Sequence, residues 1–219
     1  MTTLDLAGKL AGKFIVIDGP DGAGKSTQLR LLAQFLREGG AAVQTVRDPG
    51  GTAIGDRIRQ ILLDNAHGEM AVATELMLYM ASRAQLVAEV IRPALDGGQC
   101  VLSDRYVSST VAYQGAGGAD IAAIAAVAAI ATENLRPNLT VILDLDEGQG
   151  LKRVSDNRKG MDRMEAKGGE FHRRVREMFL RQAAADVARF AVVDAAGSVE
   201  QVQERLRQAV VTWLEKRQA

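Results

Sequence analysis

A short β-branched run, Phe14–Asp18, passes directly into Gly19-Pro20-Asp21-Gly22-Ala23-Gly24-Lys25-Ser26, and a helical pattern starts at Lys25. This fits G-x-x-x-x-G-K-[ST] in the strand, loop and helix setting that the motif needs. Glycines let the loop curl until consecutive N–H groups converge on phosphate oxygens, and the helix adds its positive N-terminal end. Lys25 is then placed to neutralise the β- and γ-phosphates of a nucleotide, and the Ser26 hydroxyl to ligate magnesium. The competing reading is a plain glycine turn. Either way the strand before the loop is covered on both faces, which commits the chain to an α/β sheet.

Other short β-branched runs recur: Ala42–Arg47, Cys100–Asp104, Leu139–Asp144 and Phe190–Asp194. Between them the spacing predicts helices over Lys25–Glu38, Ile54–Leu63, Ala73–Leu95, Ser108–Gln114, Ile121–Glu133, Glu147–Asn157, Gly169–Ala188 and Val199–Arg217. Ser198 and Gln201 are spaced as a capping box for the last of these. There is no repeat, linker or second domain, so 1–219 reads as one unit.

The 27 basic and 27 acidic side chains cancel, and a chain without basic excess is not expected to bind nucleic acid directly. The lone Cys100 forms no intrachain disulfide, and Asp5 and Lys9 interrupt any signal-peptide core, so the cytoplasm is the expected location. The most apolar run, Ile121–Thr132, is about half the ~20 residues needed to cross a bilayer and is expected to be a buried helix, with no membrane partner. Charge is uneven: from Leu151 to Arg181 ten basic residues face five acidic ones. That stretch is either a solvated face with intrahelical ion pairs or a seat for a polyanion.

A phosphate loop alone does not separate a kinase from a switch or a motor. A guanine-reading Asn-Lys-x-Asp is absent, and the one late Asp-x-x-Gly, Asp194 to Gly197, follows the last strand, which weakens the switch reading. Two further segments stand at carboxyl ends of strands, Arg47-Asp48-Pro49-Gly50-Gly51-Thr52 and Asp104 to Gln114, and so face the same cleft as the loop. Tyr79 and Arg83, four apart on one helix face, could stack on and bind a planar base; Tyr79 serves equally well as a core aromatic. A buried Arg83 needs an anion or a carbonyl.

With these motifs the chain resembles the thymidylate kinase family nearly end to end. The likeness covers the phosphate loop, Arg-x-Pro-Gly-Gly-Thr, the Tyr/Arg helix, Asp104-Arg105-Tyr106-x-x-Ser109-x-x-Ala112-Tyr113-Gln114, Leu151-Lys152-Arg153 at the entry to a basic lid at about 150–165, and Asp162-Arg163-Met164-Glu165 at its end. The resemblance implies a three-layer P-loop fold with a five-stranded parallel sheet in the order 2-3-1-4-5. It implies transfer of a phosphoryl group from ATP to dTMP with Mg²⁺, a step toward dTTP. By position, Gly19 to Thr27 and Arg153 bind ATP, and Ser26 and Asp104 stand at the metal. Asp21 lies close to the deoxyribose and phosphates; Arg59 and Arg105 grip the dTMP phosphate beside Pro49. Tyr79, Arg83, Thr110 and Gln114 read the base, and Tyr113 packs on the sugar and excludes a ribose 2′-hydroxyl. Arg158 matches the lid arginine of members whose phosphate loop lacks a basic residue. Lys25, Arg105, Arg158, Asp104 and Asp21 form the implied catalytic set. Phosphoryl transfer needs positioning and neutralisation of charge, and a lid closing Arg153, Arg158 and Arg163 over ATP would also exclude water.

Three positions depart from the family pattern: Asp48 for glutamate, Tyr79 for phenylalanine, and a lid about one residue longer. His67 and His172 lack metal-ligand spacing and read as surface or packing residues, and Cys100 reads as a small apolar residue. The apolar faces of Ile121–Ala131 and Leu76–Val90 exceed what one sheet covers and fit the family's homodimers.

Overall fold

The computed structural model describes residues 6–157 and 161–216. In chain order it contains α1 (Leu6–Leu10), β1 (Phe14–Asp18), α2 (Lys25–Glu38), β2 (Val43–Arg47), α3 (Ala53–Leu63), α4 (Val72–Leu86), α5 (Arg92–Asp96), β3 (Cys100–Asp104), α6 (Val107–Ala116), α7 (Ile121–Thr132), β4 (Leu139–Asp144), α8 (Glu147–Asn157), α9 (Gly169–Ala185), β5 (Phe190–Asp194) and α10 (Val199–Lys216). All strand pairs are parallel, in the order β2-β3-β1-β4-β5.

Alternation along β1 assigns the two faces. Ile15 and Ile17 pack with Leu29, Leu32 and Leu36 of α2 and Val202, Leu206 and Trp213 of α10. Phe14 and Val16 pack the other way, against Leu86, Val87 and Ile91, while Ile142 of β4 meets Val175 and Phe179 of α9. Burying each of these large side chains contributes roughly 1.5–3 kcal/mol, which is why the three inner strands read as continuous apolar runs.

Where the elements differ from expectation, a local cause is visible. The helix expected over Ala73–Leu95 is interrupted by a π-helical turn, Val87–Ile91, immediately before α5, whose first turn holds Pro93. Proline donates no N–H, so the ladder widens ahead of it. α9 stops at Ala185 because Asp186 turns the chain, accepting from the Arg189 amide (3.2 Å) and Nε (2.7 Å). Glu133 takes φ 50 and ends α7 one residue early. The short α1 and a 3₁₀ turn at Asn65–His67 escaped periodicity. Ser198 and Gln201 do form the capping box, with the Ser198 amide donating to Gln201 Oε1 at 3.0 Å and the Gln201 amide to Ser198 Oγ at 3.3 Å. The far end of the expected last helix, Arg217, lies outside the described residues.

α7 is not the buried helix expected. Only Ile124, Ala128 and Thr132 are buried, while Ile121 and Ile130 are exposed, the latter at 81%. One stripe of this helix, Ile124 and Ala128, packs with Leu76 and Met80 of α4, and the rest of its apolar surface is left open. No helix among the described residues is long and apolar enough to cross a membrane. The expected intrahelical pairs in the basic stretch are present at Glu170–Arg174 (2.9 Å) and Glu177–Arg181 (3.9 Å), and Arg176 instead reaches Asp144 with two bonds of 2.7 and 2.9 Å.

Candidate active site

The loop after β1 wraps the start of α2. Gly24 precedes the helix at φ 85 with no side-chain cap, so the first helical amides keep their capacity to bind an anion. The Lys25 ammonium is buried and donates to the Pro20 carbonyl at 2.7 Å. Burial and the Arg105 guanidinium push it down to about 8, against the pull of Asp21, Asp104 and Asp18. Ser26 Oγ donates to Asp104 Oδ2 at 2.5 Å, which sets two hard oxygen ligands side by side at the loop. From α8, Arg153 reaches the carbonyls of Gly22 (3.5 Å) and Ala195 (3.4 Å) and so bridges the phosphate loop and the loop after β5.

α8 docks on the phosphate loop through two glycines. A Cβ on Gly22, at φ +77, would lie 2.1 Å from the Gly150 carbonyl oxygen, and a Cβ on Gly150 would lie 2.3 Å from that of Asp21. Glycine to alanine inside a helix ordinarily stabilises by about 1 kcal/mol. At Gly150 the sign is expected to reverse: backbone meets backbone and neither can yield, so Gly150→Ala should lower the melting temperature and weaken ATP binding by moving Arg153. A variant that melts higher and binds ATP normally would refute this docking.

At the floor of the cleft Asp18 and Asp21 organise Arg105. Asp18, fully buried at the end of β1, accepts from Ser108 Oγ (2.6 Å) and Ser109 Oγ (2.7 Å), and burial pushes its carboxyl up despite Arg105 and those hydroxyls. Arg105, in the left-handed region at φ 71, donates to Gly19 O (3.3 Å), to Ser109 Oγ (3.0 Å) and to Asp21 Oδ1, and lies 5.0 Å over the Tyr113 ring. The Tyr113 hydroxyl donates to Asp21 Oδ2 at 2.8 Å. Burial pushes the Asp21 carboxyl up, but Arg105, Lys25 and Tyr113 together hold it below its ordinary value. A bulky residue kept at positive φ carries local strain, which this many contacts maintain.

Beyond Arg105, α3 presents Arg59, which donates to the carbonyl of Pro49 in the turn after β2 at 3.0 Å. Burial, with Arg47 and Arg105 nearby, lowers its pKa. Arg83, 1% exposed, finds both an anion and carbonyl inside the fold: Nε donates to Asp48 Oδ2 (2.5 Å), Nη2 to Tyr106 O (3.1 Å) and Nη1 to Thr110 Oγ1 (3.0 Å). Gln114, equally buried, donates Nε2 to Glu75 Oε1 at 2.9 Å. Arg163, which the lid reading closes over ATP with Arg153 and Arg158, is held inside the fold. It is buried, donates Nε to Leu62 O (2.9 Å) and pairs with Glu75 Oε2 (2.5 Å).

These groups line one cleft of about 800 Å³. Asp21, Gly22, Ala23, Gly24, Lys25, Ser26, Thr27 and Arg153 line one part of it; Pro49, Arg59, Tyr79, Arg83, Thr110, Tyr113 and Gln114 line another, with Asp104 and Arg105 also on its wall. Gly19 and Pro20 support it from behind, through the carbonyls that hold Arg105 and Lys25. Arg158 lies outside the described residues. Sequence reasoning missed Asp18, Glu75 and the segment Ala195, Gly197 and Ser198 that flanks the phosphate-loop side. The strand-end rule pointed to the last of these. His172 is a buried packing residue, with Nδ1 4.0 Å from Asp21 Oδ2.

The family model described as thymidylate kinase matches residues 17–206. The thymidylate kinase of Deinococcus radiodurans is 48% identical over 201 residues, covering 91% of this chain and 96% of that protein. That of Pseudomonas fluorescens is 47% identical over 208 residues, covering 94% and 99%. The crystal structure of thymidylate kinase from Ehrlichia chaffeensis superimposes with a TM-score of 0.74 at 28% identity, covering 90% of this chain and 98% of the other.

Proposed function

The chain belongs to the thymidylate kinase family, and from that premise we propose that the cleft transfers the γ-phosphoryl of ATP to the 5′-phosphate of dTMP, giving dTDP and ADP. The observation that carries this reading is the continuity of the cleft: a phosphate loop and an arginine pair, Arg59 and Arg105, open into one space, so two anionic substrates can meet phosphate to phosphate.

ATP lies on the loop amides and Lys25, with Arg153 and the segment after β5 beside it. Ser26 and Asp104 fit Mg²⁺, because magnesium bound with phosphates takes one or two protein oxygens rather than a full protein cage. A magnesium ion held there would neutralise charge on the phosphates. Arg59 and Arg105 hold the dTMP phosphate in line, and Asp21 and Tyr113 fix the Arg105 guanidinium before substrate arrives, so little reorganisation remains for the transition state. Tyr79, Arg83, Thr110 and Gln114 meet the base. The segment at about 150–165 acts as the lid, and Arg158 is its arginine for the transferring phosphoryl group.

The same reading places the enzyme in the cytoplasm as a homodimer. Exposed Ile54 and Ile61 on α3, Met77 on α4, and Ile121 and Ile130 on α7 supply apolar surface for a second copy.

The test is an acceptor panel. Wild type is expected to prefer dTMP over both dCMP and ribo-TMP in kcat/KM. Tyr113→Ala should narrow the dTMP to ribo-TMP ratio, whereas Tyr113→Phe, which keeps the ring and loses only the hydroxyl's bonds to Asp21 and Arg105, should keep that ratio. A wild type that prefers dCMP, or nucleotide hydrolysis indifferent to dTMP, would overturn the assignment.

A further inference from the structure

Glu75 has no place in the phosphoryl-transfer scheme, yet it is 3% exposed and surrounded by donors. Its Oε1 accepts from Gln114 Nε2 at 2.9 Å and lies 3.5 Å from Lys167 Nζ, and its Oε2 pairs with Arg163 Nη1 at 2.5 Å. Burial pushes the carboxyl up, but Gln114, Lys167 and Arg163 together hold it below its ordinary value, so it is ionised at neutral pH. An ionised carboxylate only accepts. The Gln114 amide therefore has one allowed orientation: its nitrogen is committed to Glu75, and its Oε1 is the group left for a ligand in the cleft that Gln114 lines.

We propose that Glu75 is the positioning residue that sets pyrimidine specificity, by locking the Gln114 amide so that an acceptor faces the base. The proposal rests on the dTMP reading above. A fixed acceptor is complementary to the N3–H of thymine and opposes the N3 lone pair of cytosine. The lock is tied to the far end of the lid segment. Arg163 is anchored by its Nε on Leu62 O (2.9 Å) and its amide on Leu63 O (3.2 Å), and Lys167 lies 4.7 Å over the Phe171 ring.

Glu75→Gln reverses this polarity with nearly the same shape. Arg163 requires an acceptor where Oε2 stood, so the new amide must place its oxygen there and its NH₂ toward Gln114. Gln114 then turns over and presents its own NH₂ to the base, which suits cytosine. The measurement is kcat/KM for dTMP and dCMP in wild type, Glu75→Gln, Gln114→Ala and the double variant. The dTMP to dCMP ratio is expected to fall about tenfold or more in Glu75→Gln, with activity on dCMP rising, because a site built to bond a base edge penalises the analogue that mismatches it. In the Gln114→Ala background the same change should leave the ratio unaltered, since the amide through which Glu75 acts is gone. If both acceptors lose equally in Glu75→Gln, or the ratio shifts as much without Gln114, Glu75 is merely structural and the proposal fails. Should the glutamine variant not fold, Glu75→Asp draws the acceptor back by one methylene and should also lower the ratio; a folded Asp variant with the wild-type ratio overturns the proposal. A wild type indifferent to the base would instead overturn the dTMP reading itself, whatever Glu75 does.

Discussion

Replacing Arg105 by alanine is expected to lower kcat/KM for dTMP by roughly a thousandfold and to destabilise the fold at the same time. The first effect follows from its place between the phosphate loop and the turn after β2, where a fixed guanidinium stabilises charge on the phosphates in transit. The second follows from what it leaves behind. Asp21 loses the cation on its Oδ1, and Asp18, fully buried, loses the guanidinium at 3.6 Å. Breaking one partner out of a buried charge network typically costs about 3–5 kcal/mol. Alanine must also hold φ 71, so Arg105→Gly should melt higher than Arg105→Ala while being equally inactive. The sign of the pH dependence is fixed by Asp21. Its folded value lies below the ordinary 3.8, so its contribution to stability is present above that pH and is lost as pH falls through the folded value. The stability gap between wild type and either variant is therefore expected at neutral pH and should narrow in acid. Thermal melts of the three proteins from neutral pH into acid, beside steady-state rates, check all of this. An active Arg105→Ala, or a gap that widens in acid, would contradict the role assigned to Arg105.

The features that were legible in the sequence share one property: a few consecutive residues carry each of them. The five strands, the phosphate loop and the capping box at Ser198 and Gln201 all come from such local patterns, whereas the strand order is implied by the family likeness that spans the chain. What escaped depends on which residues meet after folding. Gly150 looks like an ordinary helical glycine until α8 comes down on the backbone of Asp21. Glu75 and Arg163 lie far apart in the chain, and nothing local pairs them; only the packing of α4 beside α6 and the lid's end joins them. Arg83 shows the reverse. Its need for an anion or a carbonyl is met inside the fold by Asp48 and Tyr106, with Thr110 beside them, while it still lines the cleft. The helix broken at Val87–Ile91 was predictable from Pro93 alone, and apolar periodicity concealed it.

Lys25→Ala is expected to reduce kcat by about a hundredfold or more, from loss of a buried charge-assisted contact to the β- and γ-phosphates. The fold should survive. The ammonium has the Pro20 carbonyl as its hydrogen-bond partner, and burial and Arg105 push its pKa down to about 8, so its charge adds little to the fold and the ligand-free variant should melt within about 4 °C of wild type. The same depressed value makes nucleotide binding depend on pH. A lysine that loses its proton near pH 8 in the free enzyme must recover it when phosphates arrive, so binding above that pH takes up a proton. ATP affinity of wild type should therefore weaken roughly tenfold between pH 7 and pH 9. Stability of the free enzyme runs the other way. Its folded value lies below the unfolded 10.5, so the unfolded chain holds more protons between the two and the lysine's contribution to stability rises with pH across that window. In Lys25→Ala, which has no proton to recover, affinity is weaker throughout and nearly flat over the same range. Calorimetry in buffers of different ionisation enthalpy reads the proton directly. Equal pH slopes in wild type and variant would assign the titration to another group, and a near wild-type rate in the variant would remove Lys25 from the phosphate site.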